Sequence, residues 1–168
     1  EIEQGAEIIV QSAQAQVRLI EELLDVSRIM TGKMVLKLQP VDLAQVIGNA
    51  VESLRPAADA KQQQLDLRIQ PVPEVTGDEV RLQQVVWNLL SNAIKFTPAG
   101  GEVTIELGRD PAGVRIVVRD TGIGIAPAFL PHVFEPFRQS DSSTRRRHRG
   151  LGIGLSVVRQ LVEAHGGS

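Results

Sequence analysis

The chain has 168 residues, with 18 Lys and Arg against 20 Asp and Glu, a formal net charge of −2, and 42% hydrophobic and 23% charged residues. That length allows one domain, or one with an appendage, and buries a sizeable core, and the near-neutral charge argues against a protein defined by bulk nucleic-acid binding. The absence of cysteine excludes disulfide scaffolds, Cys-ligated zinc and cysteine nucleophiles, no apolar run approaches the ~20 residues of a membrane span, and no signal-peptide pattern opens the chain.

Residues 1–30 read as one long helix. Ile2, Ala6, Ile9, Ala13, Gln16, Ile20, Leu23, Ser27 and Met30 step by alternating fours and threes, a heptad seam with two polar interruptions. Val10, Val17 and Leu24 widen the stripe, so the helix is expected to pack in a bundle with another helix or chain. Gly32 supplies a stop. The chain has no initiator Met and starts inside this pattern, as an excised fragment would. Residues 34–43 alternate and predict a strand broken at Pro40. Asp42 is placed to cap a helix over about 43–60, with Val46, Ile47, Ala50, Val51 and Leu54 on its apolar face. Residues 65–70 alternate as a strand, and a loop with Pro71, Pro73 and Gly77 follows. Asp78 is placed to cap a second helix to about Phe96, its apolar face formed by Leu82, Val85, Val86, Leu89, Leu90 and Ile94. Strands over 102–107 and 114–119, joined through Asp110-Pro-Ala-Gly113, predict a hairpin. Residues 121–150, rich in Gly, Pro, Ser and Arg, read as a loop with a short helix, and a last helix is expected over about 152–165. The aliphatic-rich, aromatic-poor pattern of helices and strands predicts an α/β sandwich with helices on one face of a sheet.

Three segments carry chemistry. Asn88, Asn92 and Lys95 fall at i, i+4 and i+7 on one helical stripe, separate from that of Leu89, Leu90 and Ile94. Asn amides offer neutral oxygen to a hard cation and Lys95 a point charge for phosphate, although such a stripe taken alone reads as a solvated face. Asp120-Thr-Gly122-Ile-Gly124-Ile125 ends a strand with a carboxylate and frees the following backbone for close approach of a ligand; its ordinary reading is an Asx turn. Gly150-Leu151-Gly152-Ile153-Gly154-Leu155 opens a helix, where repeated glycines suit an anion site, and its spacing is neither a dinucleotide fingerprint nor a P-loop. Phe134-Glu-Pro-Phe137-Arg138 and the run Arg145-Arg-Arg-His-Arg149 lie between the last two segments.

In order and spacing these segments resemble the catalytic, ATP-binding part of bacterial two-component sensor histidine kinases. Asn88 to Thr97 resembles the family's N box, Asp120 to Ile125 its first glycine box, Phe134 to Arg138 its F box, and Gly150 to Leu155 its second glycine box. Leu23 to Ile29 with Gly32-Lys33 resembles the end of the second dimerisation helix. The resemblance therefore implies a partial dimerisation domain over 1–32 and a catalytic domain over 33–168. The expected fold is a two-layer α/β sandwich of mixed sheet and helices, the Bergerat-type ATP-binding fold. It also implies Mg²⁺ and ATP as cofactors. Asp120 would receive the adenine amino group, Asn92 helped by Asn88 would hold the metal, Lys95 would face phosphate and Phe96 would lie near adenine. Gly122, Gly124, Ile125, Phe137, Arg138, Gly150, Leu151, Gly152, Ile153, Gly154 and Leu155 would complete the nucleotide site, with the glycines of the second box as lid hinge. ATP-hydrolysing relatives (gyrase-type topoisomerases, mismatch-repair proteins, heat-shock chaperones) place a Glu at position 88 to activate water; Asn88 cannot act as that base, which favours phosphoryl transfer to a protein. The family generally has Gly where this chain has Arg149. Its acceptor histidine would lie on a helix ahead of Glu1, and its closing strands would begin after Ser168. The implied partners are a second copy through residues 1–32 and a response-regulator receiver domain, with no nucleic acid, no direct membrane contact and a cytoplasmic location. The alternative is a degenerate nucleotide-binding interaction module without kinase activity.

Overall fold

The computed structural model describes residues 20, 24, 34–139 and 151–168. Of the helix expected over 1–30, Ile20 and Leu24 are described, both helical and exposed; the remainder of the seam and the bundle it implies lie outside the described residues.

Both predicted helix starts are built by their caps. The Asp42 side chain accepts from Ala44 N at 2.8 Å and opens α1, Leu43–Asp59. Asp78 Oδ1 accepts from Arg81 N at 3.2 Å and opens α2, Glu79–Phe96. Each satisfies an amide that a helix start leaves orphaned. Strand β1 is Gln39–Val41, β2 Gln64–Ile69, β3 Val75–Gly77, β4 Glu102–Asp110 and β5 Gly113–Asp120. A 3₁₀ turn at Leu130–His132 precedes α3, Gly154–Ala164, and His165 caps rather than extends this last helix.

The main sheet has the order β2-β4-β5. β2 runs parallel to β4, with Gln64 opposite Glu102 and Ile69 opposite Leu107, because the connection between them is long enough to contain α2. β4 and β5 form the expected antiparallel hairpin, in which Ala112 N is held by the Asp110 side chain. Val103, Ile105 and Leu107 alternate onto the helix-covered face and are buried. They pack with Val46, Ile47, Ala50, Val51 and Leu54 of α1 and with Val86, Leu90 and Ile94 of α2. Each buried Val, Leu and Ile among them contributes about 1.5–3 kcal/mol. The result is the mixed-sheet, two-layer sandwich expected.

Two local expectations change. The strand expected over 34–43 contracts to Gln39–Val41, because the residues before it are taken elsewhere: Met34 packs against the small core of Val85, Ile153, Val157, Val158 and Leu161, and Lys37 N donates to Asp78 Oδ2 at 2.9 Å. The stretch read as a loop contains β3, which pairs antiparallel with β1 in a separate two-stranded sheet. Pro40 is tolerated in β1 because it faces only one partner strand.

Asp78 also joins α2 to α3. Its backbone N–H donates to His165 Nε2 at 3.0 Å, while His165 Nδ1 donates to Leu161 O at 2.7 Å. Burial raises the Asp78 pKa, but bonds from Lys37 N and Arg81 N, with the Arg81 charge, outweigh it and hold the carboxyl below its ordinary value. A lowered folded pKa gives stability that is complete above the unfolded value of about 3.9 and is lost as pH falls through the folded value. Asp78→Asn is expected to be less stable at neutral pH and to lose less of that stability on acidification. Denaturant midpoints measured from about pH 6 down to about pH 2 check this; parallel acid limbs for the two proteins would refute it.

Candidate functional site

The stripe of Asn88, Asn92 and Lys95 lies along the second half of α2, and it is not the solvated face that its spacing alone allowed. The start of α3 lies over Asn88 and Asn92. A Cβ placed on Gly154 would lie 3.5 Å from Asn88 Oδ1 and 3.9 Å from Asn92 Nδ2. Asn88 is 6% exposed, and its Nδ2 is buried without a partner. Asn92, Lys95 and Phe96 are half-buried. Lys95 Nζ stands 5.0 Å from the Phe96 ring centroid, no carboxylate pairs with it among the described residues, and burial pushes its pKa down.

The first glycine segment meets the end of the same helix. Asp120 ends β5, and its Oδ1 accepts from Gly122 N at 2.8 Å, the Asx turn expected of this chemistry. A Cβ on Gly122 would lie 2.7 Å from the Phe96 carbonyl oxygen, so only glycine lets the loop approach so closely. The same carbonyl accepts from Ile123 N at 3.3 Å. Gly124 adopts φ 66°, and Ile123 and Ile125 are exposed. The contribution of Phe96 through its carbonyl has no signature in a side-chain pattern. Thr121, not singled out from the sequence, fixes the loop by accepting from Glu102 N at 2.9 Å.

The F-box and second-glycine segments are joined through the backbone. Phe137 N donates to Gly152 O at 3.0 Å, and a Cβ on Gly152 would lie 2.6 Å from Arg138 O. Gly152 takes φ 71° and Phe137 φ 63°, the latter an uncommon conformation for a bulky residue. Arg138 pairs with Glu135 at 2.8 Å. Glu135 also accepts from His132 Nδ1 at 2.7 Å, a bond that lowers the Glu135 pKa. Ile153 is buried in the small core between α2 and α3, Ser156 Oγ donates to its carbonyl, Leu155 is half-buried and Leu151 exposed. Thus α2 is the shared wall. Its middle meets the second glycine segment and its end meets the first. Gly150 and the run Arg145 to Arg149 lie outside the described residues.

Residues 77–168 match the family of histidine kinase-, DNA gyrase B- and HSP90-like ATPases. The chain is similar to the non-motile and phage-resistance protein of Caulobacter vibrioides, with 41% identity over 160 residues, 93% of this chain and 19% of that protein. It is also similar to the signal transduction histidine-protein kinase BarA of Escherichia coli, with 38% identity over 165 residues, 95% of this chain and 18% of that protein. The chain thus spans about a fifth of the length of these relatives. Among solved structures it resembles full-length ShkA in complex with AMPPNP, with a TM-score of 0.82 and 32% identity, covering 99% of this chain and 35% of that one. With the family match covering more than half of the sequence, the chain belongs to the histidine kinase-, DNA gyrase B- and HSP90-like ATPase family, as an ATP-binding catalytic domain of the sensor histidine kinase type.

Proposed function

We propose that this chain is the Mg-ATP-binding core of a histidine kinase that passes the γ-phosphoryl group to a histidine on a helix outside these residues, for relay to an aspartate of a response-regulator receiver domain. The observation that carries the reading is the buried Asn88 amide beneath Gly154, with its Nδ2 unpartnered. A buried polar atom left without a hydrogen bond costs about 1–3 kcal/mol, and a phosphate oxygen entering between α2 and α3 relieves it. An amide is no base, so position 88 offers nothing to activate water, which supports transfer to a protein acceptor over hydrolysis.

In this reading the Asp120 carboxylate accepts from the adenine amino group, and Gly122, Gly124 and Ile125 shape that end of the pocket beside Phe96. The Lys95 ammonium, without a carboxylate partner among the described residues, answers the phosphates. Phe137 and Arg138, with Gly150 to Leu155, close the other end. The donor set fits Mg²⁺: Asn92 and Asn88 supply neutral oxygens, and a cation of this kind needs few protein ligands when phosphates complete its shell. When bound, it would offset phosphate charge and align the transferring group. Residues 1–32 pair two copies in the parent protein, a role that the exposed helical Ile20 and Leu24 suit, and the domain works in the cytoplasm.

None of the chain's histidines suits the acceptor role. Both His165 nitrogens are engaged, His132 is bonded to Glu135, and His148 lies outside the described residues, flanked by arginines. Incubation of the 168-residue chain with γ-labelled ATP is therefore expected to show bound nucleotide but no acid-labile, base-stable label. A helical hairpin carrying an acceptor histidine, added in trans, is expected to take the label. Stoichiometric histidine label on the chain alone would overturn the acceptor assignment. ATP binding with no transfer to any such hairpin would make the chain a nucleotide-binding interaction module.

A further inference from the structure

The C-terminal carbonyls of α2 have partners from three directions. Ala93 O accepts from Thr97 N at 3.0 Å and from Thr97 Oγ1 at 2.7 Å. Ile94 O, Lys95 O and Thr97 O accept from the single ammonium of Lys61, at 2.7, 2.9 and 3.1 Å. Gln63 Nε2 adds bonds to Ile94 O at 3.0 Å and Thr97 O at 2.7 Å. Phe96 O goes to Ile123 N, in the loop after Asp120. Helices commonly end on a glycine in the left-handed conformation that closes these carbonyls locally. Here the residue after the helix, Thr97, is extended at φ −82°, ψ 131°, so the closure comes from outside the helix.

Lys61 and Gln63 reach the helix end together because Gln62 between them takes φ 54° and turns the chain sharply after α1. Lys61 uses all three of its donors on carbonyls, and its charge sits at the negative end of the helix dipole. Gln63 is buried with its Oε1 unpartnered; the position satisfies the donors and leaves the acceptor unbonded. The backbone closes the link, since Gly100 N donates to Lys61 O at 3.0 Å.

We propose that Lys61, with Gln63, is a positioning residue for the nucleotide site. It holds the last turn of α2 so that the Lys95 side chain and the Phe96 carbonyl, and through that carbonyl the Asp120 loop, stand in one fixed register. This rests on the nucleotide reading above, yet Lys61 itself donates only to backbone carbonyls. The turn it holds is where the two halves of the proposed ligand are recognised. Adenine recognition hangs from the Phe96–Ile123 bond and phosphate recognition from Lys95, one residue apart.

Lys61→Met keeps the stem and removes the three donors; Lys61→Arg keeps charge and donors. Two quantities are measured well below the melting temperature, with the fold checked by circular dichroism: the Kd for ATP, and hydrogen exchange of the Ile123 amide in the nucleotide-free chain. Lys61→Met is expected to weaken ATP about tenfold, the scale of one charge-assisted hydrogen bond, and to speed Ile123 exchange, while amides of β4 keep their protection. Lys61→Arg is expected to recover most of both. A role in stability alone would lower the melting temperature and leave the ATP Kd unmoved; that result, in a folded Lys61→Met, overturns the proposal. Should Lys61→Met fail to fold, Gln63→Leu is measured in the same way: weaker ATP binding with faster Ile123 exchange supports the proposal, and an unmoved ATP Kd overturns it. A wild-type chain that does not bind ATP would overturn the nucleotide reading instead, and Ile123 exchange would still decide whether Lys61 holds the loop.

Discussion

Asp120→Ala is expected to weaken ATP by roughly 10–150-fold, the equivalent of about 1.5–3 kcal/mol for a hydrogen bond to a charged group. Two losses combine. In the proposed site the adenine amino group would lose its acceptor, and the loop loses the Asp120 Oδ1 bond to Gly122 N that shapes it. Asp120→Asn separates them, because the amide oxygen can keep the turn while the charge is gone. Titration calorimetry with ATP and with adenosine is the measurement. Both ligands are expected to weaken alike in Asp120→Ala, since the proposed contact is to the base, and Asp120→Asn is expected to fall between wild type and Asp120→Ala. Unchanged affinity in Asp120→Ala would remove Asp120 from the site and leave only the Asx turn.

Leu90→Ala is expected to cost about 2–5 kcal/mol of stability, the range for deleting a buried leucine and leaving a cavity. Leu90 is fully buried and packs in the main core with Val46, Ile47, Ile105 and their neighbours. Against a whole stability of about 5–15 kcal/mol, that loss is large, and it strikes the helix that carries Asn88, Asn92 and Lys95. Denaturant unfolding followed by far-UV circular dichroism reads it as a lower midpoint at unchanged slope. A change under about 1 kcal/mol would mean that the helix relaxes to fill the space. Where Leu90→Ala still folds, its ATP affinity tests whether the opposite face of α2 holds its side chains in place without that packing.

What the sequence determined by itself was written in local chemistry. Asp42 and Asp78 mark helix starts because a short carboxylate side chain can reach an amide two or three residues on, an interaction that needs no partner distant in the chain. The alternation of Val103, Ile105 and Leu107 against Thr104 and Glu106 identified β4 because strand faces repeat every second residue. Asp110-Pro-Ala-Gly113 announced the turn of the hairpin. The three segments proposed to carry chemistry stood out by their order and spacing, each having an ordinary reading by itself, and the structure brings all three against α2. Tertiary structure alone decided the rest. β1 and β3 are three residues each and meet only because α1 and β2 bring their ends together, so the alternation over 34–43 marked a strand there but not its short extent, and β3 carries too little periodicity to be read. Asn88 is polar, and its burial follows from α3 lying across it, a contact between residues far apart in the chain. Lys61 carries no sequence signature of its role. It serves as the cap of a helix that begins 18 residues later, because Gln62 in the left-handed region turns the chain there and the end of α2 lacks a glycine to close itself.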